Sequence, residues 1–261
     1  MKKVLLLILL FICGFYFSQQ IHVKYLRVLS SFTTSYEDLY IKNNQVLSIQ
    51  DSIIINNRLT DSWTLGVNLD NGKKPTKQYF VSDLDKDKND ETEKNFFFTS
   101  NVDSREFFIY DKVPKPDWKI EENQIKTIAG YKCIKATGTF RGSKIIAYFT
   151  KDLPYSTGPF KFYGLPGLIL DIRAENKDYN IWKAESVDVN DKTAVTFKPQ
   201  FLKKEKISLK DYVAAKEAHM NKIFAKVADA LPKTNFKTKI TTNQRFTVEQ
   251  KYEWENDSET K

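Results

Sequence analysis

The chain has 261 residues, with 41 Lys and Arg against 33 Asp and Glu and a formal net charge of +8 at pH 7. Hydrophobic residues make up 41% of the sequence and aromatic residues 14%, which is enough for one ordinary core. This composition excludes wholesale disorder, a collagen-like repeat and a disulfide-dense miniprotein. The length favours one domain, or at most two, that needs no metal or disulfide to fold.

The N-terminus has the order of a secretory signal peptide. Residues 1–3 are positively charged, residues 4–12 form an unbroken apolar run, and Ser18 is a small residue before polar chain. The run is far shorter than the roughly 20 residues of a spanning helix. We therefore expect residues 1–18 to be removed and the mature protein to be exported, to the periplasm or outer envelope rather than fully outside the cell, and not integral to the membrane. Cys13 leaves a lipid-modified cysteine as the alternative.

Most of the remaining chain has the two-residue period of β-strands. Apolar residues alternate along the first predicted strand at Ile21, Val23, Tyr25 and Leu29, and Arg27 interrupts them. Further strand-like runs lie at 39–41, 46–49, 52–55, 78–81, 96–99, 106–110, 118–120, 131–140, 144–150, 168–174 and 179–187. Their connections are too short for crossover helices, so we expect antiparallel pairing.

Two local signals refine this prediction. Asn43-Asn44 lies between two strand-like runs and tolerates the positive φ of a tight hairpin. Ser208 and Asp211 resemble a helix-capping box, and apolar residues follow at helical spacing until Pro232. We expect a helix at about 208–231, with His219 as an ordinary surface or boundary residue on it.

The predicted fold class is mainly β (α+β): a curved antiparallel sheet or open half-barrel covered by one long helix. Residues 19–254 are expected to form a single domain, and residues 255–261 a polar, frayed tail.

Cys133 is the one cysteine outside the predicted signal peptide, which excludes an internal disulfide there. Its neighbours Tyr131, Ile134 and Ala136 favour a buried, inert thiol. A reactive or intermolecular thiol is the alternative.

The basic excess does not indicate nucleic-acid binding. Only six residues are Arg, and Lys is spread along the chain among acids, which favours a solubilising surface. Asp83, Asp85 and Asp87 match positions 1, 3 and 5 of a calcium loop. Lys88 and Lys94, however, occupy positions that require Gly and Glu. We predict a solvated charged loop over 83–94 and no metal site.

Residues with special backbone properties are concentrated in one part of the chain. Six of the nine Gly and three of the eight Pro lie between residues 130 and 167. The predicted structural turns there use Gly158, Pro159, Gly164, Pro166 and Gly167. Pro166-Gly167 suits the centre of a type II turn, which requires positive φ at Gly167. We refer to residues 151–167 as the corner.

The corner has a structural and a functional interpretation. It can serve only to direct the chain, or it can form a rigid rim around a ligand groove. Candidate rim residues are the aromatic and cationic side chains Arg141, Tyr155, Phe160, Lys161, Phe162 and Tyr163. Aromatic rings next to fixed turns suit binding, and the two cations suit an anionic group.

At these positions the chain resembles a known family. Gly164-Leu165-Pro166-Gly167-Leu168-Ile169 is the hexapeptide that names the GLPGLI family of exported Bacteroidetes proteins. Shorter matching segments are Trp118-Lys119-Ile120, Ile128-Ala129-Gly130-Tyr131-Lys132-Cys133, Lys135-Ala136-Thr137, Arg141-Gly142, Ala147-Tyr148 and Gly158-Pro159-Phe160-Lys161-Phe162. The resemblance implies export and a mostly β fold. It implies no activity or catalytic residue, because that family has no established function.

No metalloprotease, nucleophile-elbow, CxxC or phosphate-loop motif occurs, and His22 and His219 are the only histidines. We therefore expect a non-catalytic envelope protein without a cofactor. It would bind a ligand or partner through its curved sheet, such as a lipid, a peptide or an outer-membrane protein. The alternatives are a carboxylate-based envelope hydrolase and an accessory of an outer-membrane uptake or secretion system that binds peptide by strand addition.

Three structural features distinguish these functions. A lipid carrier requires an enclosed apolar cavity that opens at one end. An enzyme requires convergent titratable groups in a cleft. A strand-addition protein requires a long unprotected sheet edge and a filled interior.

Overall fold

A computed structural model describes residues 19–30, 33–51, 55–56, 77–83, 92–197, 204–230, 245 and 247–255. Four predicted features lie outside these ranges: the signal peptide, the start of the strand at 52–54, the end of the helix at Pro232 and the end of the tail.

Thirteen strands and one long helix form the described architecture. The strands are β1 Gln20–Ser30, β2 Thr33–Lys42, β3 Gln45–Gln50, β4 Ile55–Asn56, β5 Gln78–Asp83, β6 Glu93–Val102, β7 Arg105–Pro114, β8 Lys119–Ile128, β9 Tyr131–Phe140, β10 Ser143–Thr150, β11 Leu168–Ala174, β12 Ile181–Asp191 and β13 Glu205–Ser208.

The strands form one open sheet with β1 near its middle. The order is β13-β7-β6-β5-β3-β2-β1-β12-β11-β10-β9-β8, with β4 paired to β2. In the described chain every pairing is antiparallel except that of β13 with β7, which is parallel. The prediction of a mainly β fold with a curved sheet and a single helix is confirmed.

Tight two-residue hairpins connect several neighbouring strands. Both central residues have positive φ at Asn43-Asn44, Asp103-Ser104, Ala129-Gly130 and Arg141-Gly142. This is the type I′ geometry, whose twist matches that of the flanking strands. The positive φ expected at Asn43-Asn44 is confirmed, with values of 50° and 59°.

The helix α1, Leu209–Ala230, begins where β13 ends. The Asp211 N–H donates to Ser208 Oγ at 3.1 Å, and Ser208 Oγ–H donates to the Asp211 carboxylate at 2.6 Å, so the predicted cap is present. Leu209, Tyr212 and Val213 are buried against β5–β7, whereas Met220 is 39% exposed. Contact with the sheet is therefore made by the first turns of α1.

Side chains of the corner pack against the inner face of the sheet. Leu153, Phe162 and Leu165 belong to the main core, which also contains inward-facing residues of β1, β2 and β9–β12. The Ile169 N–H of β11 donates to the Thr157 carbonyl of the corner at 3.0 Å, and Tyr163 Oη–H donates to the Val113 carbonyl of β7 at 2.8 Å. These bonds attach the corner to both halves of the sheet.

The charged loop predicted over 83–94 is partly wrong. Residues 84–91 lie outside the described ranges, but Lys94 belongs to β6 and is only 4% exposed. Its ammonium lies 5.5 Å and 5.6 Å from the ring centroids of Phe96 and Tyr163. The alternation of β6 points this side chain inward, and the rings stabilise its charge there.

Candidate functional site

The predicted binding rim lies mainly inside the protein. Four of its side chains are buried and two are half-buried: Arg141, Lys161, Phe162 and Tyr163, then Tyr155 and Phe160. The Phe162 ring centroid lies 5.0 Å from that of Phe140 and 5.4 Å from that of Trp182. The prediction of an aromatic rim around an open groove is therefore wrong. The corner turns these rings toward the sheet, where burial of their large apolar area stabilises the fold.

The two cations of the predicted rim bind the protein's own carboxylates. Asp111 accepts hydrogen bonds from Arg141 Nη1 and Nη2 at 2.9 and 2.7 Å and from Lys161 Nζ at 2.7 Å. Glu249 accepts from the same two side chains at 2.5 and 2.9 Å. All four side chains are nearly excluded from solvent. This ionic cluster occupies the place expected for an external anion.

At Asp111 and Arg141 the attraction of the opposite charges outweighs the effect of burial on the pKa. Burial alone raises the pKa of Asp111, but the charges and hydrogen bonds of Lys161 and Arg141 hold it below its usual value. Burial likewise lowers the pKa of Arg141, but Asp111 and Glu249 raise it above its usual value. Removal of one partner from such a group typically costs about 3–5 kcal/mol, because it leaves a buried charge uncompensated.

Glu249 belongs to a C-terminal segment, residues 247–255, that crosses the β9–β10 hairpin. The Arg141 carbonyl accepts from the N–H groups of Gln250 and Lys251 at 2.8 and 2.9 Å, and Val248 enters the main core. Glu249 is 88 residues from Lys161 and 108 from Arg141 in sequence. No local spacing rule could have predicted this contact.

Gly167 has a different role from the one predicted. Its φ lies outside the left-handed region, so the assignment of a type II turn with positive φ is wrong. Its N–H instead donates to the Leu165 carbonyl at 2.8 Å, which closes a three-residue turn centred on Pro166. A Cβ at Gly167 would lie 2.1 Å from the Thr150 carbonyl oxygen. Gly is required here because the β10 backbone passes too close for any side chain.

The other residues of the predicted turns have separate structural roles. Gly164 has φ of +96°, which other residues adopt only at a cost. A Cβ at Gly158 would lie 2.8 Å from Ile169 Cβ, and the buried Pro159 accepts a hydrogen bond at its carbonyl from the Phe162 N–H at 3.2 Å.

Cys133 lies on β9 with its side chain fully buried. Burial raises the pKa of this thiol to about 12, and the thiol donates to the Tyr131 carbonyl oxygen with an S···O distance of 3.5 Å. A thiol of this pKa carries almost no thiolate at neutral pH.

A second polar network lies on the inner face of β1–β3. The carboxylate of Glu37, on β2, is fully buried and accepts four hydrogen bonds. The donors and distances are Ser48 Oγ at 2.5 Å, Gln50 Nε2 at 2.8 Å, the Phe160 N–H at 2.5 Å and Trp182 Nε1 at 3.0 Å. These bonds join β2, β3 and β12 to the corner. Because the buried Glu37 carboxylate has four donors, the bonds around it stabilise the fold and leave no place for a ligand.

The network ends at Arg27, whose hydrogen bonding is incomplete. Arg27 Nη1 donates to Gln50 Oε1 at 2.6 Å, which is the one hydrogen bond that the described residues give this side chain. Its Nε is buried without a partner, and so is the hydroxyl of Ser35, directly opposite on β2. The guanidinium lies 5.4 Å from the Trp182 ring centroid, and burial lowers the pKa of Arg27 despite the charge of Glu37.

A polar cleft of about 260 Å³ opens beside this guanidinium. Three cationic side chains line it, Arg27, Lys77 and Lys204. Two acids also line it: Asp51, 3.8 Å from Lys77, and Glu106, 2.9 Å from Lys204.

Neutral polar side chains complete the lining, namely Gln50, Gln78, Thr99, Ser100 and Asn101. We refer to this feature as the Arg27 cleft. In the described ranges no group of three or more His, Cys, Asp or Glu is arranged to hold a metal ion, at the cleft or elsewhere.

The corner is also where the chain is similar to a known family. A family model described as Porph_ging, a protein of unknown function, matches residues 139–171. The match includes Arg141, Lys161 and the hexapeptide, and it is compatible with the GLPGLI resemblance. No curated protein matches the chain.

Solved structures with a similar course of the chain have a low sequence identity to this protein. PNGF-II, in crystals of space groups P21 and C2, is 15% identical with a TM-score of 0.49 and covers 76% of this chain. The matched part is 33% and 32% of the PNGF-II chain, so this chain spans about a third of its length. An uncharacterized conserved protein from Thermus thermophilus is 9% identical with a TM-score of 0.37, covering 73% of this chain and 90% of its own. At these scores the likeness assigns neither a site nor a function.

Proposed function

We propose that the chain is an exported, non-catalytic envelope protein that binds a small polar ligand in the Arg27 cleft. Export rests on the signal-like order of residues 1–18. Among the described residues, no helix combines the length and apolar character needed to cross a membrane.

The observation that carries the binding role is the incomplete hydrogen bonding of Arg27. A guanidinium has five N–H donors, and one of them has a partner in the described residues. Arg27 Nε is buried without a partner, and such a donor costs about 1–3 kcal/mol, so folds seldom retain one without a reason. A ligand acceptor at the cleft would satisfy donors that the protein leaves open, and this gain favours binding.

The other candidate functions have less support. The corner packs into the main core, and two clefts of the described chain, the Arg27 cleft among them, are lined mainly by polar and charged residues, which does not suit a lipid carrier. In the described part of the chain β8 is an edge strand, and it carries charged side chains and an irregular register between Glu121 and Ile125, two features that oppose strand addition. At the Arg27 cleft each acid has a lysine partner, which gives no pair of carboxylates poised for hydrolysis.

Native mass spectrometry tests the proposed function. The protein is isolated from the cells that produce it as wild type, as R27K and as R173K. The R27K variant keeps the positive charge that faces Glu37 but lacks the planar fork of the guanidinium. Arg173 is the matched control, because it lies on the same sheet and is already paired with Asp171 at 2.5 and 2.7 Å.

We expect a bound molecule with wild type and R173K that is absent from R27K. Equal retention by all three proteins, or by none, would contradict a binding role for the cleft.

A further inference from the structure

We propose that the ligand of the Arg27 cleft is a small hydroxylated monocarboxylate of the sugar-acid type. This inference rests on the proposed function and specifies the chemistry that the cleft recognises. Three features of the cleft determine this chemistry: the Arg27 guanidinium, the charge balance of the lining and the neutral side chains around the guanidinium.

The guanidinium fixes the position of an oxyanion. Arg27 lies on the inward-facing row of β1, where its guanidinium lies 5.4 Å from the Trp182 ring centroid and donates a hydrogen bond to Gln50. Its planar fork matches the two oxygens of a carboxylate in a bidentate arrangement. Because the protein already restrains the side chain, little conformational entropy remains to be lost when the carboxylate binds.

The charge balance selects a single negative charge. Lys77 and Lys204 are paired with the two acids of the lining, Asp51 and Glu106. Glu37 faces Arg27 from the interior without a hydrogen bond to it, so the positive charge of Arg27 has no ion-pair partner among the described residues. A monocarboxylate neutralises this charge. A phosphate dianion would place a second negative charge in a cleft that already contains two carboxylates, and like charges at such distances repel.

The neutral lining selects hydroxyl groups on the rest of the ligand. Part of this lining is already engaged, because Gln50 bonds Arg27 and Glu37, Thr99 Oγ1 accepts from the Tyr79 N–H, and Ser100 Oγ bonds Tyr212 Oη. Amide and hydroxyl groups can make more than one hydrogen bond, so the second N–H of Gln50, the Thr99 O–H and the Gln78 amide can still pair with a ligand. These groups suit a ligand whose hydroxyls both donate and accept. The volume of about 260 Å³ is slightly below the usual range for small-molecule sites, which suits a single sugar-sized ring.

Isothermal titration at neutral pH tests this assignment with named probes. Sodium glucuronate and sodium galacturonate carry the carboxylate. Glucose and galactose are the neutral controls of matched shape, and inorganic phosphate is the alternative oxyanion. We expect saturable binding of at least one uronate to wild-type protein, with each neutral sugar and phosphate at least about tenfold weaker.

Two further measurements keep the test independent of protein folding. R27K should weaken uronate binding at least about tenfold, while R173K leaves it unchanged and both variants melt like wild type. On unaltered protein, the uronate should shift the backbone amide NMR signals of Gln50, Thr99 and Ser100, which line the cleft.

The results separate the two proposals. No binding of either uronate, equal binding of the neutral sugars, tighter binding of phosphate or an unchanged affinity in R27K would overturn the monocarboxylate assignment. If native mass spectrometry still finds a different molecule held through Arg27, the binding function stands and only the ligand class is wrong.

Discussion

Substitution of Gly167 tests directly how the corner is built. In G167A the new Cβ would lie 2.1 Å from the Thr150 carbonyl oxygen and 2.8 Å from its carbonyl carbon. Ordinary contact begins near 3.4 Å, so β10 and the corner must separate by about 1.3 Å. Both contact atoms are backbone, and the clash cannot be relieved by rotating a side chain.

The expected cost follows from the groups that must move. Thr150 pairs with Leu168 in the β10–β11 ladder, and the Leu168 N–H donates to the Leu153 carbonyl at 2.9 Å. Overpacking costs about 1–3 kcal/mol, and each weakened backbone hydrogen bond costs about 1 kcal/mol more. We expect G167A to lower the free energy of unfolding by about 3 kcal/mol, which corresponds to a fall in Tm of about 6–12 °C for a chain of this size.

Gly130 provides the matched control, because it has φ of +85° and a Cβ placed there would meet no atom within 4 Å. There the cost is conformational only, so we expect G130A to lower the free energy of unfolding by about 1–2 kcal/mol. G130N should lower it less, because Asn tolerates positive φ. At Gly167 the clash is steric, so Asn should be as destabilising as Ala. Equilibrium urea unfolding gives each value. The steric explanation would be wrong if the free energy of unfolding of G167A were within about 0.5 kcal/mol of wild type. It would also be wrong if G167N were clearly more stable than G167A.

Two other features yield predictions of their own. D111N should lower the free energy of unfolding by about 3–5 kcal/mol, whereas E205Q, which breaks the exposed pair with Arg105, should cost less than about 1 kcal/mol in urea unfolding. Because the folded pKa of Asp111 lies below its unfolded value, its stabilisation is present above about pH 4 and is lost as pH falls through the folded pKa. Urea midpoints at pH 2–5 should therefore depend less on pH in D111N, and equal slopes would refute this. Since burial raises the pKa of Cys133 to about 12, iodoacetamide at pH 8 should label it only in unfolded protein; rapid labelling of native protein would contradict its placement.

The strands could be predicted because their pattern is local. The predicted runs at 131–140 and 168–174 coincide with β9 Tyr131–Phe140 and β11 Leu168–Ala174, where alternation and flanking turn residues agree. The parallel pairing of β13 with β7 was beyond such reasoning. It joins chain segments about a hundred residues apart, as the contact of Glu205 with Arg105 illustrates, and no short connection specifies it.

The corner shows where local preference fails. Pro166-Gly167 matches a type II turn by sequence, but the close approach of β10 determines why Gly is needed. The sequence indicates that Arg141 and Lys161 are cations next to fixed turns, whereas their partners Asp111 and Glu249 come from distant segments. Sequence reasoning therefore identified half of the ionic cluster and assigned it an external ligand.

The Arg27 cleft had one signal in the sequence. Arg27 interrupts the apolar alternation of Ile21, Val23 and Tyr25, which places a charged side chain on the inward face of β1. Such a charge needs a partner or a ligand. Which of the two applies depends on Gln50, Thr99 and the other lining residues, and these come together only in the folded sheet.

A crystal structure of the protein purified from the cells that produce it tests the central claim most directly, at a resolution that defines the Arg27 guanidinium. We predict ordered non-protein oxygen atoms within about 3 Å of its free N–H groups, continuous with density along Thr99 and Ser100. A guanidinium whose donors are all satisfied by protein groups or water would contradict the assignment of this cleft as a binding site.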